Sequence, residues 1–224
     1  MTHDPSGGET TSRLLVAASE VFAEVGYRAA TLREICRRGQ ANIAAVNYHF
    51  GDKENLYLAV FRQAVVAAEE GLAQLAPPPA DPPQEKLRHF VHQFLHNLLG
   101  ADRPVLLLRL FAHEMIEPTK ALELALEQGA RQVNEILDAI VAELLGPAAD
   151  AQRVHDCTSS VLAQCTSYSN WEAAILRLNQ VDVHDPAVVG RLAEHVFQFS
   201  LGGIQALGPK QQPASCGTGS FVQI

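Results

Sequence analysis

The sequence predicts an all-α protein of about nine helices, and three observations carry that prediction. Apolar residues recur at helical spacing over long segments. Glycine and proline separate those segments, most plainly in Pro77-Pro78-Pro79-Ala80-Asp81-Pro82-Pro83. No stretch shows period-two alternation or a hairpin turn signal. The architecture expected is an N-terminal three-helix unit containing a helix-turn-helix, followed by a larger helical body.

Residues 1–9 are polar with glycine and serine, and are expected to be disordered. From Thr10 or Thr11 to Val25, Leu14, Leu15, Ala18, Val21, Phe22 and Val25 form one apolar stripe of a helix that Gly26 ends. Thr31 with Glu34 three residues later reads as a capping box, in which the hydroxyl accepts from an orphan N–H and the carboxylate reaches back to the cap. Leu32 and Ile35 give this short helix its buried side. Gly39-Gln40-Ala41 breaks it, Asn42 caps a second short helix over Ile43 to His49, and Phe50-Gly51 closes that one. Two short helices joined by a glycine-containing turn are the pattern of a helix-turn-helix, whose second helix enters a DNA major groove.

Asp52 then caps a helix to about Ala76, with Leu56, Val60, Val65, Ala68, Leu72 and Leu75 at helical spacing. At 1.5 Å per residue it spans roughly 37 Å, enough to join a DNA-binding head to a body. The proline run ends it. Further helices are expected over Gln84–Leu99, Val105–Ile116, Pro118 to about Leu145, Ala149–Asn179 and Pro186–Leu207, with a flexible tail over 208–224. The domain reading is therefore 10–56 for the head and 57–207 for the body.

Val154, Cys157, Val161, Cys165 and Tyr168 form one apolar seam of the body, and Val188, Val189, Leu192, Val196 and Phe199 form another. A two-fold arrangement would let two recognition helices reach successive major grooves. The two seams are accordingly expected to build a homodimer interface as a four-helix bundle.

A net charge of −8 looks wrong for a DNA binder until it is divided. Residues 1–62 hold seven Lys/Arg and seven Asp/Glu, for zero; residues 63–224 hold ten and eighteen, for −8. A neutral head with Arg13, Arg28, Arg33, Arg37, Arg38 and Lys53 can meet phosphates while an acidic body stays off the duplex. No apolar run has the roughly 18 residues of a membrane span, and the N-terminus lacks a signal-peptide pattern. The protein is expected in the cytoplasm.

Cys36, Cys157, Cys165 and Cys216 show no C-x-x-C spacing, so they read as small apolar packing residues. His89, His92 and His96 share a helix face but read as solvated surface side chains, and no metal or other cofactor is expected. No G-x-S-x-G elbow or P-loop occurs, so no catalytic residues and no enzyme activity are expected. The competing reading is a helical metal- or small-molecule-binding protein without DNA activity.

ASEVFAEVGYRAATLREI at 18–35, NYHF at 47–50 and GDKENLY at 51–57 resemble the TetR family of bacterial transcriptional repressors. NIAAVNYHFGDKE and the later LLRLFAHEMIEPT are similar to one subgroup with its own C-terminal ligand domain. The resemblance implies a regulator, most simply a repressor, that leaves a palindromic operator when a small-molecule effector binds. It implies that Thr31 contacts phosphate, and that Asn42, Ala44, Ala45 and Asn47 form the face presented to bases. Two alanines let the helix axis approach closely, and asparagine can pair with adenine. Tyr48, His49 and Lys53 would contact phosphate at the helix ends, with Arg33 and Arg37 as further phosphate candidates. The domain after Pro83 would hold the effector, lined by Phe94, Arg109, His113, Met115 and Trp171, polar or aromatic residues in otherwise apolar helices. One departure stands out. The family's turn carries glycine at the position of Gln40, whereas here Gly39 stands one place earlier, so the helix end is expected to shift by a residue.

Overall fold

The computed structural model describes residues 5–208. The expectations for residues 1–4 and for the tail beyond Gly208 lie outside the described residues. Eleven α-helices and one π-turn, with no strand, make up the described residues. They are α1 (Pro5–Ala29), α2 (Leu32–Arg38), α3 (Ile43–Phe50), α4 (Lys53–Ala73), α5 (Pro83–Leu99) and α6 (Val105–Ile116). Then come α7 (Lys120–Ala125), a π-turn (Leu126–Ala130), α8 (Arg131–Leu145), α9 (Ala151–Asn170), α10 (Glu172–Asn179) and α11 (Pro186–Leu207).

The difference from nine has local causes. The helix expected from Pro118 to Leu145 is nearly continuous but widens into the π-turn around Gly129, and the Asn134 amide donates to the Ala130 carbonyl there at 2.7 Å. The helix expected over Ala149–Asn179 breaks at Trp171, whose φ/ψ of −112°/16° is not helical. Just before it, Thr166 donates to Leu162 O at 2.9 Å and Ser167 to Gln164 O at 2.7 Å. Hydroxyls bonding back to carbonyls of the preceding turn bend helices.

The first helix begins at Pro5, five residues before the expected Thr10. Proline suits a first helical position, since its missing N–H is an orphan there anyway and its φ is already helical. Gly26 interrupts α1 at φ 73°. A Cβ at Gly26 would lie 2.9 Å from Nδ1 of His113, so glycine is needed both for the backbone and for the approach of α6.

Two apolar cores organise the chain. The first joins α1–α4 around Phe22, Ile35, Val46, Leu56, Tyr57 and Phe61, and takes in Leu110, Ala121 and Ala125 from α6 and α7. The second joins α5, α8, α9 and α11 around Phe90, Leu95, Leu137, Val161, Leu192 and Phe197. The packing changes within α4, between Val65 and Leu72, whereas the expected boundary at 56/57 falls in its first turn. The head therefore rests on α6 and α7, as its small size requires.

Candidate nucleic-acid interface

The helix-turn-helix is built from local caps. Thr31 Oγ1 accepts from Glu34 N at 3.2 Å, Asn42 Oδ1 from Ala45 N at 2.8 Å, and Asp52 Oδ1 from Asn55 N at 2.8 Å. Gly51, at φ 84°, ends α3. The capping box at α2 is completed differently from the expectation. The Glu34 carboxylate is taken by Arg37 at 2.7 and 2.8 Å and by Arg38 at 2.9 Å, and these two guanidinium groups hold its pKa down to about 2.

The turn also departs from the expectation. Gly39 has φ −76° and ψ 1°, an ordinary conformation, while Gln40 adopts the left-handed φ of 48°. The end of α2 is not displaced. Gln40 occupies the conformation that favours glycine, and Gly39 serves packing: its Cβ would lie 3.3 Å from Arg13 O and 3.4 Å from the Ala17 methyl. The turn presses against α1 at a point where no side chain fits easily.

Val46 is fully buried beneath α3, and Ala45 packs partly against the same core. On the opposite side Ala44 and Asn47 are exposed and Tyr48 is 84% exposed, its ring edge-on to His49. Asn42 is exposed, but its carbonyl oxygen is occupied by the cap, leaving the amide N–H₂ as its outward group. Ile43, 48% exposed on the same surface, was not among the residues expected there. Its apolar character points a sequence reader toward the core.

The basic residues divide. Thr31 and Arg33 are exposed at the start of α2. Arg37 leans on Glu34, and Arg38 is gripped by Glu24 at 2.7 and 2.8 Å. Lys53 lies back over the Tyr27 ring at 4.5 Å, and burial lowers its pKa. It remains beside the N-terminus of α4, where N–H groups favour an anion.

The body residues fall into two groups. Phe94 and Arg109 line a cleft of about 630 Å³ between α1, α4, α5 and α6. His113, Met115 and Trp171 do not. His113 is spent on the head, its Nε2 3.3 Å from Ala23 O; Met115 is 53% and Trp171 66% exposed. The histidines do not converge either: His89 Nε2 lies 2.9 Å from Gln74 O, and His92 Nε2 lies 3.5 Å from Glu194. No group of three metal-ligating side chains occurs among the described residues.

The two seams expected at a dimer interface are mostly interior. Cys157, Val161, Cys165, Val189, Leu192 and Val196 are buried in the subunit's own core, with Val154 and Tyr168 packed against it. Only Phe199, 65% exposed, faces outward. The seams point inward because α9 and α11 must cover the apolar sides of α5 and α8. Cys165, fully buried, has its thiol pushed up to about 12 by burial, which suits a packing residue.

Residues 14–60 match the family model described as bacterial regulatory proteins of the tetR family. Residues 83–204, more than half of the chain, match the C-terminal domain of the HTH-type transcriptional dual regulator CecR. The chain belongs to the TetR family. It is 30% identical over 181 residues to the dual regulator CecR of Shigella flexneri, covering 76% of this chain and 80% of that one. The repressor AcnR of Corynebacterium glutamicum is 41% identical over 73 residues, 30% of this chain and 39% of that protein. Among solved structures, a TetR-like regulator from Rhodococcus sp. RHA1 superposes with a TM-score of 0.61 at 15% identity, covering 87% of this chain and 96% of that one, which shows the shared fold. These relatives are transcriptional regulators. Among the described residues no helix is long and apolar enough to cross a membrane.

Proposed function

We propose that this TetR-family chain is a ligand-responsive, DNA-binding regulator, most simply a cytoplasmic repressor that leaves a palindromic operator when a small-molecule effector binds. One observation carries the DNA-reading part. Capped at Asn42 and anchored by Val46, α3 leaves Ala44, Asn47 and Tyr48 open to solvent on one side. Ala44 and Asn47 face the bases, with the Asn42 amide and partly covered Ala45 at the near edge. Thr31, Arg33, Tyr48, His49 and Lys53 take phosphates around them, and Arg37 joins them only by loosening its hold on Glu34.

The working unit is a homodimer. Its interface is the outer side of α9 and α11, where Phe199 stands beside exposed Gly202, Gly203 and Ala206. A groove of about 490 Å³ between the two helices, bounded by Asp156, Ser160, Gln164 and Leu207, supports this reading. Selection from a random DNA library tests it. A roughly palindromic site is expected, with affinity falling steeply as salt rises. Tyr48→Ala with Lys53→Ala should abolish binding, and Lys53→Ala alone should reduce the salt slope by about one. Salt-insensitive binding, or no selected sequence, refutes the reading.

A further inference from the structure

We infer that the cleft between head and body is the effector site and that it takes an amphipathic organic cation. This rests on the reading of the chain as a ligand-responsive regulator and adds the site's location and the chemistry it selects. The cleft, about 630 Å³, lies within the roughly 300–1,000 Å³ of small-molecule sites. Its floor is apolar, with Ala64 and Ala68 from α4, Phe94 and Leu98 from α5, and Leu106 and Leu108 from α6. An apolar ligand body is therefore required.

The polar wall selects the charge. Glu20 and Asp102 line the cleft against a single cation, Arg109. Arg38 is the basic neighbour of Glu20 at 3.8 Å, but its guanidinium is already gripped by both oxygens of Glu24 at 2.7 and 2.8 Å. The Arg38 hydrogen bond chiefly holds the Glu24 carboxyl below its usual range, with Arg109 a smaller contributor. Glu20 shares Arg38 with Glu24 and Glu34, and Asp102 is exposed at the rim, so the cleft keeps a surplus of negative charge that attracts an ammonium or amidinium end and repels a carboxylate end.

The position of the cleft explains how filling it would reach DNA. The first half of α6, Val105–Arg109, lines the cleft opposite Val16, Ser19, Glu20 and Ala23 of α1. The second half holds the head: His113 meets the Ala23 carbonyl at 3.3 Å, and Glu114 accepts from Tyr57 of α4 at 2.8 Å. A ligand that prefers α1 and α6 further apart favours a different head position. Only that differential affinity shifts the equilibrium.

Three dansyl amides with one fluorophore and different ends test the proposal on the full-length protein: dansylcadaverine, neutral N-butyl dansylamide, and anionic dansylglycine. Dansylcadaverine is expected to bind about five- to tenfold more tightly than the other two, the size of one charge interaction at a partly wet site. Glu20→Gln with Asp102→Asn should erase that preference, and Ala67→Trp, which fills the cleft, should remove binding with the helical circular dichroism unchanged. Equal or tighter binding of the neutral or anionic probe overturns the assignment of ligand class. Binding unaffected by Ala67→Trp overturns the site. Dansylcadaverine should also release the duplex selected from the random library. Cleft binding without release overturns the effector role but leaves DNA reading intact. Failure to hold any duplex refutes DNA reading, while the cleft is still judged by the fluorescence titrations.

Discussion

Replacing Tyr57 with phenylalanine removes one oxygen atom from the joint between head and body. Glu114 is only 1% exposed, and its carboxylate accepts from Tyr57 OH at 2.8 Å, Thr119 N at 2.7 Å and Thr119 Oγ1 at 2.9 Å. The Tyr57 ring itself is held by Phe22, Tyr27 and Phe61, so the phenylalanine ring should remain in place. What is lost is one hydrogen bond to a buried carboxylate, worth about 1.5–3 kcal/mol. For a chain of this length each kcal/mol moves the melting temperature by roughly 2–4 °C, so Tyr57→Phe should melt about 3–12 °C lower. Chemical denaturation of wild type, Tyr57→Phe, Glu114→Gln and the double variant supplies the test, and the double should recover about 1 kcal/mol or more relative to additivity. A Tyr57→Phe protein within about 0.5 kcal/mol of wild type, or an additive cycle, would refute the reasoning. The same joint predicts a pH effect. Burial and Glu114 raise the Tyr57 pKa above its ordinary value of 10.0, so the folded state holds this proton more firmly than the unfolded chain does. The contribution is complete below about pH 10 and declines as pH rises beyond it, and Tyr57→Phe should flatten that decline.

The remaining predictions concern the turn, the acid limb and the dimer. Gln40→Gly relieves a left-handed non-glycine residue at about 1–2 kcal/mol, against about 0.5–1 kcal/mol of added chain entropy, for a net gain near 0.5–1 kcal/mol in urea unfolding; a loss would show that the Gln40 side chain matters more than its φ. Glu34, held to about 2 by Arg37 and Arg38, contributes stability that is present above its ordinary 4.5 and lost as pH falls toward 2. Glu34→Gln should therefore show a shallower fall in melting temperature over that window, and an unchanged slope would count against the pairing. Phe199→Arg should yield a folded monomer by sedimentation, whereas Leu192→Ala, in the core, should cost about 2–5 kcal/mol of stability. Loss of folding in Phe199→Arg would place that side chain in the subunit's own packing.

The head was legible in the sequence because its signals are local. Thr31, Asn42 and Asp52 each bond an N–H three residues ahead, and Gly51 supplies a positive φ, so composition at fixed spacing sufficed to place the starts of α2, α3 and α4 and the end of α3. Other features depended on partners distant in the chain. Arg38 reads as a phosphate-binding surface arginine until α1 brings Glu24 to it from fourteen positions away. His113 reads as a ligand contact until α6 sets it against Gly26 and Ala23.

Periodicity by itself determined that the chain would be helical, where most helices lie and that each has an apolar side. It could not say what that side would meet, because burial is a property of the neighbour as much as of the residue. The seams of α9 and α11 satisfied the pattern of an interface between subunits and of an interior equally well. Tertiary packing decided between them by placing α5 and α8 underneath, which left Phe199 as the large apolar side chain of those seams still facing out. It likewise placed the change of core within α4 and gave Gly39 to packing and Gln40 to the left-handed turn. The reason is the same throughout: caps and turns are decided within a few residues, whereas burial and ion pairing are decided by whichever helix arrives alongside.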